Sequence, residues 1–294
     1  MSEILKVVGV PEHFNRAIKE IAAESASKSD ALNISFIEES QGTGKMVQQI
    51  KGKEVDIAIL LTEGGIKGCI APSADHEEGY KIVQKYVQSP LQWGLHVKPN
   101  SKLNSIEDID PKKIIAFISR PNSGSHNMLR LLAVDQGWNA EDIQLQQVGN
   151  MPGAIEAMEA LSEEDEALFL WEHYTTKPNV EAGHFKRIGD FKTPWPCFIV
   201  AVRDSVLENK SEAVKAFLEL VNQRAKEIVV QSNTIEVFSK MYGLKEEDVT
   251  SWLAKTAWSS ENLSEQELEK IMDLMQEVGM LTTRKPASEL LVNL

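Results

Sequence analysis

Apolar and polar positions follow two rhythms along this chain, one of strands and one of helices, and the rhythm switches at short intervals. Residues 4–10, ILKVVGV, are an apolar run of strand length. Phe14, Ala17, Ile18, Ile21 and Ala22 then recur at three- and four-residue spacing, which predicts the buried face of a helix. NISFIEE (33–39) predicts a second strand, and GKMVQQIKGKE (44–54) a helix. VDIAILL (55–61) predicts a third strand, apolar enough to be covered on both faces. Strand, helix, strand, helix, strand within 61 residues is a parallel α/β unit.

IVQKYVQSPLQWGLHVKP (82–99) predicts a long extended stretch broken at Pro90. A second alternation follows. KKIIAFIS (112–119) leads into a serine-rich turn and a helix closing near Gly137, then IQLQQV (143–148), a helix from Gly153, and ALFLWE (167–172). PCFIVAVRDS (196–205) is extended again. The remainder reads as helical, with Val214, Phe217, Leu218, Val221 and Ile228 on one face. Ser264 and Glu267 form a capping-box pattern ahead of Leu268, Ile271, Met272 and Met275. No internal repeat or low-complexity tract interrupts this order. Two α/β units with two extended crossings, near 88–95 and 193–201, are therefore expected. Residues 1–92 and 200–294 would form lobe 1, and residues 93–199 lobe 2. Two such lobes can open and close around a cleft.

Composition narrows the class. The chain is 42% hydrophobic and 26% charged, as in soluble globular proteins. Acidic residues outnumber basic ones by 44 to 31, and the net charge of −13 argues against nucleic acid or an anionic membrane as the main partner. Two cysteines, Cys69 and Cys197, make no disulfide framework. The first residues lack the charged, apolar and cleavage segments of a signal peptide, and no run approaches the ~20 apolar residues of a membrane span. A cytoplasmic location is the expectation. His-x-x-x-His spacing is absent, so neither a metal nor a cofactor is expected.

Ligands of open α/β sheets bind beyond the carboxyl ends of the strands, so the candidate chemistry lies in those loops. After the first strand come Glu12 and His13, as helix cap or ligand contact. After the second come Gly42, Thr43 and Gly44, where backbone amides can approach a ligand. The lysine of GTGKM is followed by Met46, so this is not a phosphate-binding P-loop. After the third come Thr62, Glu63, Gly64 and Gly65, read as a polar loop or a tight turn. Trp93 and Trp195 stand at the two crossings, to cover a flat ligand or to pack the hinge. SRPNSGSHNM (119–128) places Arg120, Ser123, Gly124, Ser125 and His126 at a helix start, a ready site for an anion or a carbonyl. Ser125 and His126 are adjacent, about 100° apart on a helix, so they do not face each other as nucleophile and base. Asn150 and Met151 open another helix. LWEHYTTKP ends a strand with Glu172 and His173, an acceptor for a ligand or an acid–base pair.

These stretches, together with GVPEHFNRAI, GTGKMVQQIKGKEVDIAI, SPLQWGLHV and FKRIGDFKTPWPCFIVAVRDSVLENKSEAVKAFL, resemble the type II periplasmic-binding-protein-like superfamily. Within it the chain resembles an intracellular solute-binding-like branch related to sulfonate-binding and thiamine-pyrimidine-related proteins. The resemblance spans nearly the whole chain. It implies an α/β fold of two lobes, each a mixed, mostly parallel sheet flanked by helices, joined by two hinge crossings. It also implies a small ligand held between them. The chain departs from the fungal thiamine-pyrimidine synthases, which carry a Cys-Cys-Cys-Phe-Cys motif. Only Cys197 and Phe198 match it, and Leu60 and Gly64 stand where those enzymes have their cofactor-binding lysine and sacrificial histidine.

The expected function is a binding protein that closes on a small planar, anionic or carbonyl-bearing metabolite, thiamine-pyrimidine or sulfonate related. The alternative is a cytoplasmic enzyme on the same fold, a dehydratase or synthase of a small aromatic metabolite, with Glu172, His13 and His126 as its acid–base groups.

Overall fold

The computed structural model describes residues 4–26 and 32–294, so the first three residues of the stretch read for a leader lie outside it. The chain divides into two units. Met1–Ser89, Trp195–Glu277 and Leu281–Leu294 form the first, and Pro90–Pro194 with Val278–Met280 form the second.

The first unit begins with β1 (Ile4–Gly9), α1 (Arg16–Ser25), β2 (Asn33–Glu38), α2 (Thr43–Lys51), β3 (Ile57–Leu61), α3 (Thr62–Ile70) and β4 (Tyr80–Val87). The second unit contains β5 (Gln92–Val97), β6 (Ile114–Ile118), α4 (Gly124–Asp135), β7 (Gln144–Gln147), α5 (Met151–Glu159), β8 (Glu166–Glu172), α6 (His173–Glu181) and β9 (Lys186–Lys192). The chain then returns through β10 (Phe198–Arg203) to α7 (Asp204–Asn209), α8 (Ser211–Val230), α9 (Thr234–Tyr242), α10 (Glu246–Leu253), α11 (Glu265–Glu277) and α12 (Ala287–Leu290).

The two sheets share one plan. Their orders are β2-β1-β3-β10-β4 and β7-β6-β8-β5-β9. β1 is parallel to β2 and β3, and β10 is antiparallel to both β3 and β4. β6 is parallel to β7 and β8, and β5 is antiparallel to both β8 and β9. Each sheet is thus mostly parallel, with one reversed strand in fourth position. That strand is always the one reached by crossing from the other unit.

The sequence periodicity accounts for the interiors. Leu5, Val7 and Val8 of β1 and Ile57 to Leu60 of β3 are buried, as are Phe14, Ala17, Ile18 and Ile21 on α1. Val214, Phe217, Leu218, Val221 and Ile228 of α8 and Leu268, Ile271, Met272 and Met275 of α11 are also buried. The expected capping box is formed: Glu267 N donates to Ser264 Oγ (3.2 Å) and Ser264 N donates to the Glu267 carboxylate (2.9 Å).

Four local expectations need correction. The stretch 82–99 is two strands of different sheets, β4 and β5, not one extended segment. Thr62, Glu63, Gly64 and Gly65 lie in the first turn of α3, not in a loop or tight turn. Their glycines serve close packing: a Cβ on Gly64 would stand 2.5 Å from Thr43 Cγ2, and one on Gly65 2.6 Å from Ile199 Cδ1. His173 likewise begins α6 rather than a loop. Trp93, expected at the first crossing, is the second residue of β5, paired with Glu172 of β8 and Phe191 of β9. β9 was not anticipated; Lys186, Arg187, Asp190 and Lys192 break its apolar pattern, as charges do on edge strands.

Gly68 provides a test of the α3 packing. Its Cβ would meet Tyr80 Oη at 2.4 Å and Val47 Cγ1 at 2.6 Å, and that Tyr80 hydroxyl donates to Gly65 O (2.6 Å). Gly68→Ala is expected to lower stability by about 1–3 kcal/mol through overpacking. The ordinary helix preference for alanine, ~1 kcal/mol, would act the other way. Urea unfolding of the two proteins decides the sign.

Candidate functional site

In the first unit the polar strand-end residues follow the carboxyl ends of β1, β2 and β3. Gly42, with φ of 77°, occupies the left-handed region and starts α2. Thr43 follows it, buried, and its hydroxyl accepts the Leu61 amide at 3.1 Å, tying α2 to the end of β3. Thr62 Oγ1 donates to Pro196 O (2.5 Å), and Thr62 N donates to Cys197 O (3.1 Å). Glu63 is 1% exposed. Trp195 Nε1 donates to its Oε2 at 3.2 Å. Burial raises the Glu63 carboxyl to about 7, against the lowering effect of that hydrogen bond.

Glu12 and His13 stand at the end of β1. His13 is buried in an aromatic cluster, stacked on Phe14 (4.8 Å) and edge-on to Trp252 (4.3 Å). Desolvation drives its ring down to about 3. A ring so reluctant to take a proton is a packing group, not a general base near neutral pH. Leu60 is a fully buried strand residue, and Cys197, which directly precedes β10, is buried too.

The second unit builds its site on β6, β8 and β5. β6 leads to β7 on one side, and β7 returns to β8 on the other side of β6. Right-handed crossovers therefore set α4 and α5 on opposite faces. Phe117, Ala167 and Phe169 pack with Ala154 and Met158 of α5. The alternate residues, Ile118, Leu168, Leu170 and Glu172, thus face α4. Trp93 lies directly opposite Glu172 in an antiparallel pair, so it projects on the same side. The α4 N-terminus, Glu172 and Trp93 consequently share one face and one end of the sheet.

Three serines organise the start of α4. Ser125 Oγ accepts the Ser119 amide (3.0 Å) and lies 3.1 Å from Ser123 Oγ and 3.4 Å from Ser119 Oγ. Ser123 Oγ caps the helix by accepting His126 N (3.4 Å). His126 Nδ1 accepts the amide of Asn122, a residue held at φ of 61°. The ring is therefore turned to the preceding loop and not to Ser125. Two links join three hydroxyls, and each hydroxyl has one proton, so one proton remains to donate outward. Ser125, in the middle, uses its own inside the chain; Ser119 or Ser123 presents the spare. The Gly124 and Ser125 amides have no carbonyl within the helix to receive them. Arg120, half-exposed, opens this turn and accepts Ser123 N on its carbonyl (3.1 Å).

Glu172 is the N-cap of α6. Its Oε2 accepts Thr175 N (2.6 Å) and Thr175 Oγ1 (2.7 Å). Burial nonetheless raises its carboxyl, and the nearby Asp190 adds to the rise. Below Glu172, His96 anchors α6. With a neutral ring, Nδ1–H donates to Phe169 O (3.1 Å) and Nε2 accepts the Thr176 hydroxyl (2.8 Å). Burial holds the ring neutral by lowering it to about 4.

Asn150 and Met151 are held elsewhere. Asn150 Oδ1 caps α5 by accepting Gly153 N (3.0 Å), and Met151 packs on the apolar cluster under α5, the opposite face. Sequence reasoning missed Ser119 and Asn127. Ser119 was hidden at the end of an apolar run. Asn127 follows His126 in the motif and carries no signal of its own there; it is 2% exposed. Among the described residues no group of three or more His, Cys, Asp or Glu side chains is arranged to hold a metal. No described helix is long and apolar enough to cross a membrane.

Comparison with known proteins defines the class. The chain has the periplasmic-binding-protein-like fold. A family model described as Ca3427-like PBP matches residues 95–191, the second unit from β5 to β9. The Candida albicans CA3427 gene product, reported to define a family with the generic periplasmic binding protein fold, superposes with a TM-score of 0.84. It is 25% identical, over 99% of this chain and 96% of that one. The alkanesulfonate-binding protein SsuA of Xanthomonas axonopodis pv. citri, solved with MOPS bound, gives a TM-score of 0.77 at 15% identity, over 99% and 98% of the two chains. The aliphatic sulphonate-binding protein SsuA of Escherichia coli gives 0.70 at 14% identity, over 100% and 93%. A search of curated proteins finds no match.

Proposed function

We propose that the protein binds a small molecule that presents an oxygen, carbonyl or anionic, to the start of α4. The observation that carries this reading is the donor set at that helix start: the spare serine hydroxyl and the amides of Gly124 and Ser125, aligned with the positive end of the helix. The site lies within the stretch matched by the Ca3427-like model. Two structural neighbours are sulfonate-binding proteins by name, which brings a sulfonate into the range of ligands to test.

Mass spectrometry of the natively purified protein, after denaturing release, is expected to show a co-purifying compound, and that compound is expected to raise the melting temperature when added back. At a hundred times its Kd the ligand contributes about 2.7 kcal/mol. For a protein of this size that is a rise of several degrees. An empty protein whose melting point responds to no carbonyl, carboxylate or sulfonate compound sinks the reading.

A further inference from the structure

Two buried polar atoms of the second unit have no hydrogen-bond partner on the protein, and they are of opposite kind. Trp93 Nε1 is a donor on a side chain 5% exposed. Asn127 Oδ1 is an acceptor on a side chain 2% exposed. Buried groups of this kind are ordinarily satisfied, because leaving one unpaired is unfavourable. Trp93 shares its face and its end of the sheet with the start of α4. Asn127 lies in the first turns of α4, and helical side chains lean toward the N-terminus. Asn127 thus leans toward the serine chain, and Trp93 stands at that same end of the sheet.

An alkylsulfonate fits this combination poorly. Its oxygens only accept, so the Asn127 carbonyl would meet them as a second acceptor. It also carries a charge; Lys98, a buried cation among the described residues of this unit, is elsewhere, and Arg120 at the start of α4 is only half-buried. Lys98 follows the far end of β5 and gives its ammonium to the carbonyls of Glu163 (2.8 Å) and Ser162 (3.3 Å).

We propose that the ligand is uncharged at this end and carries an amide-type edge, an N–H beside a C=O, as in a carboxamide, lactam or ureide. Its N–H donates to Asn127 Oδ1. Its carbonyl accepts from Trp93 Nε1, with the spare serine proton as a further donor. Asn127 and Trp93 are thus the residues that set specificity. This rests on the binding reading above and narrows it from any oxygen-bearing group to one class.

The test is a titration of the full chain with nicotinamide, 2-pyrrolidinone, hydantoin and 1-butanesulfonate, run on the natural protein, Asn127→Leu and Trp93→Phe. The amide-type probes are expected to bind at least tenfold more tightly than the sulfonate, and each variant to weaken them about 10- to 100-fold. The Trp93 indole N–H resonance, assigned by its loss in Trp93→Phe, is expected to move downfield with these probes. Without ligand, Asn127→Leu is expected to melt at or above the natural protein, since it removes an unpaired buried carbonyl oxygen; a residue with a purely structural role would lower it. Several results overturn the inference while leaving the binding reading intact. They are a sulfonate that binds as well as the amides, a co-purifying ligand without an amide edge, amide binding unchanged by Asn127→Leu, or a lower melting point for that variant. Absence of binding by every probe and of any co-purifying compound overturns both.

Discussion

Glu63→Gln is expected to raise the stability of the protein by about 3 kcal/mol at pH 8 and to leave it nearly unchanged at pH 4. The carboxyl titrates near its ordinary value, 4.5, when the chain is unfolded and at about 7 when it is buried in the fold. Between those values the folded state holds a proton that the unfolded state has released. Stability therefore falls as pH rises through that window, by about 1.4 kcal/mol per unit, and stays low above it. Glutamine has no proton to lose, and its carbonyl can still accept the Trp195 N–H. Urea titrations of both proteins at pH 4, 6 and 8 separate the curves. Parallel curves would mean that Glu63 is solvated in solution.

The acid limb carries the opposite sign. His13 titrates at about 3 in the fold against 6.5 unfolded, so below pH 6.5 the unfolded chain takes a proton that the folded one refuses. Stability is complete above that pH and is lost as pH falls through the window, reaching a deficit of about 3 kcal/mol near pH 4.3. His13→Phe keeps an aromatic ring against Phe14 and Trp252 and removes the titration. The variant is expected to match the natural protein at pH 8 and to exceed it at pH 4.3. A fixed difference at both values would assign the effect to packing alone. Between pH 4.5 and 6.5 the Glu63 and His13 contributions have opposite slopes and similar size, so the natural protein should be less sensitive to pH there than either variant.

The sequence made the two α/β units legible because burial on one face leaves a period, which α1, α8 and α11 keep, and because β1 and β3 are apolar runs of strand length. It also placed Ser123 to His126 at a helix start, since capping residues follow a short code. Other features escaped for identifiable reasons. α3 and α6 carry glycines or β-branched and polar residues in their first turns, which read as loops; their place is set by contacts with Thr43, Ile199 and Tyr80 or by the Glu172 cap. β9 is an edge strand with charges that hide its alternation. The inward turn of the serines was invisible, because a spacing shows that hydroxyls are close in sequence but not that Ser119 will join them from the preceding strand. The same limit applied to Asn127, whose burial depends on residues far from it along the chain.

The reversed strand in fourth position has a consequence for how the molecule is made. The second unit is almost entirely one continuous stretch, Pro90–Pro194, and all five of its strands lie within it. The first unit's sheet lacks a strand between β3 and β4 until β10 has been synthesised, more than a hundred residues after β3. On a ribosome, the amino-terminal eighty-odd residues would wait with two strand edges unmatched while the middle of the protein finishes folding ahead of them. The later-born unit is thus the earlier folder, and the opening segment is the part of the newborn chain with most need of a chaperone.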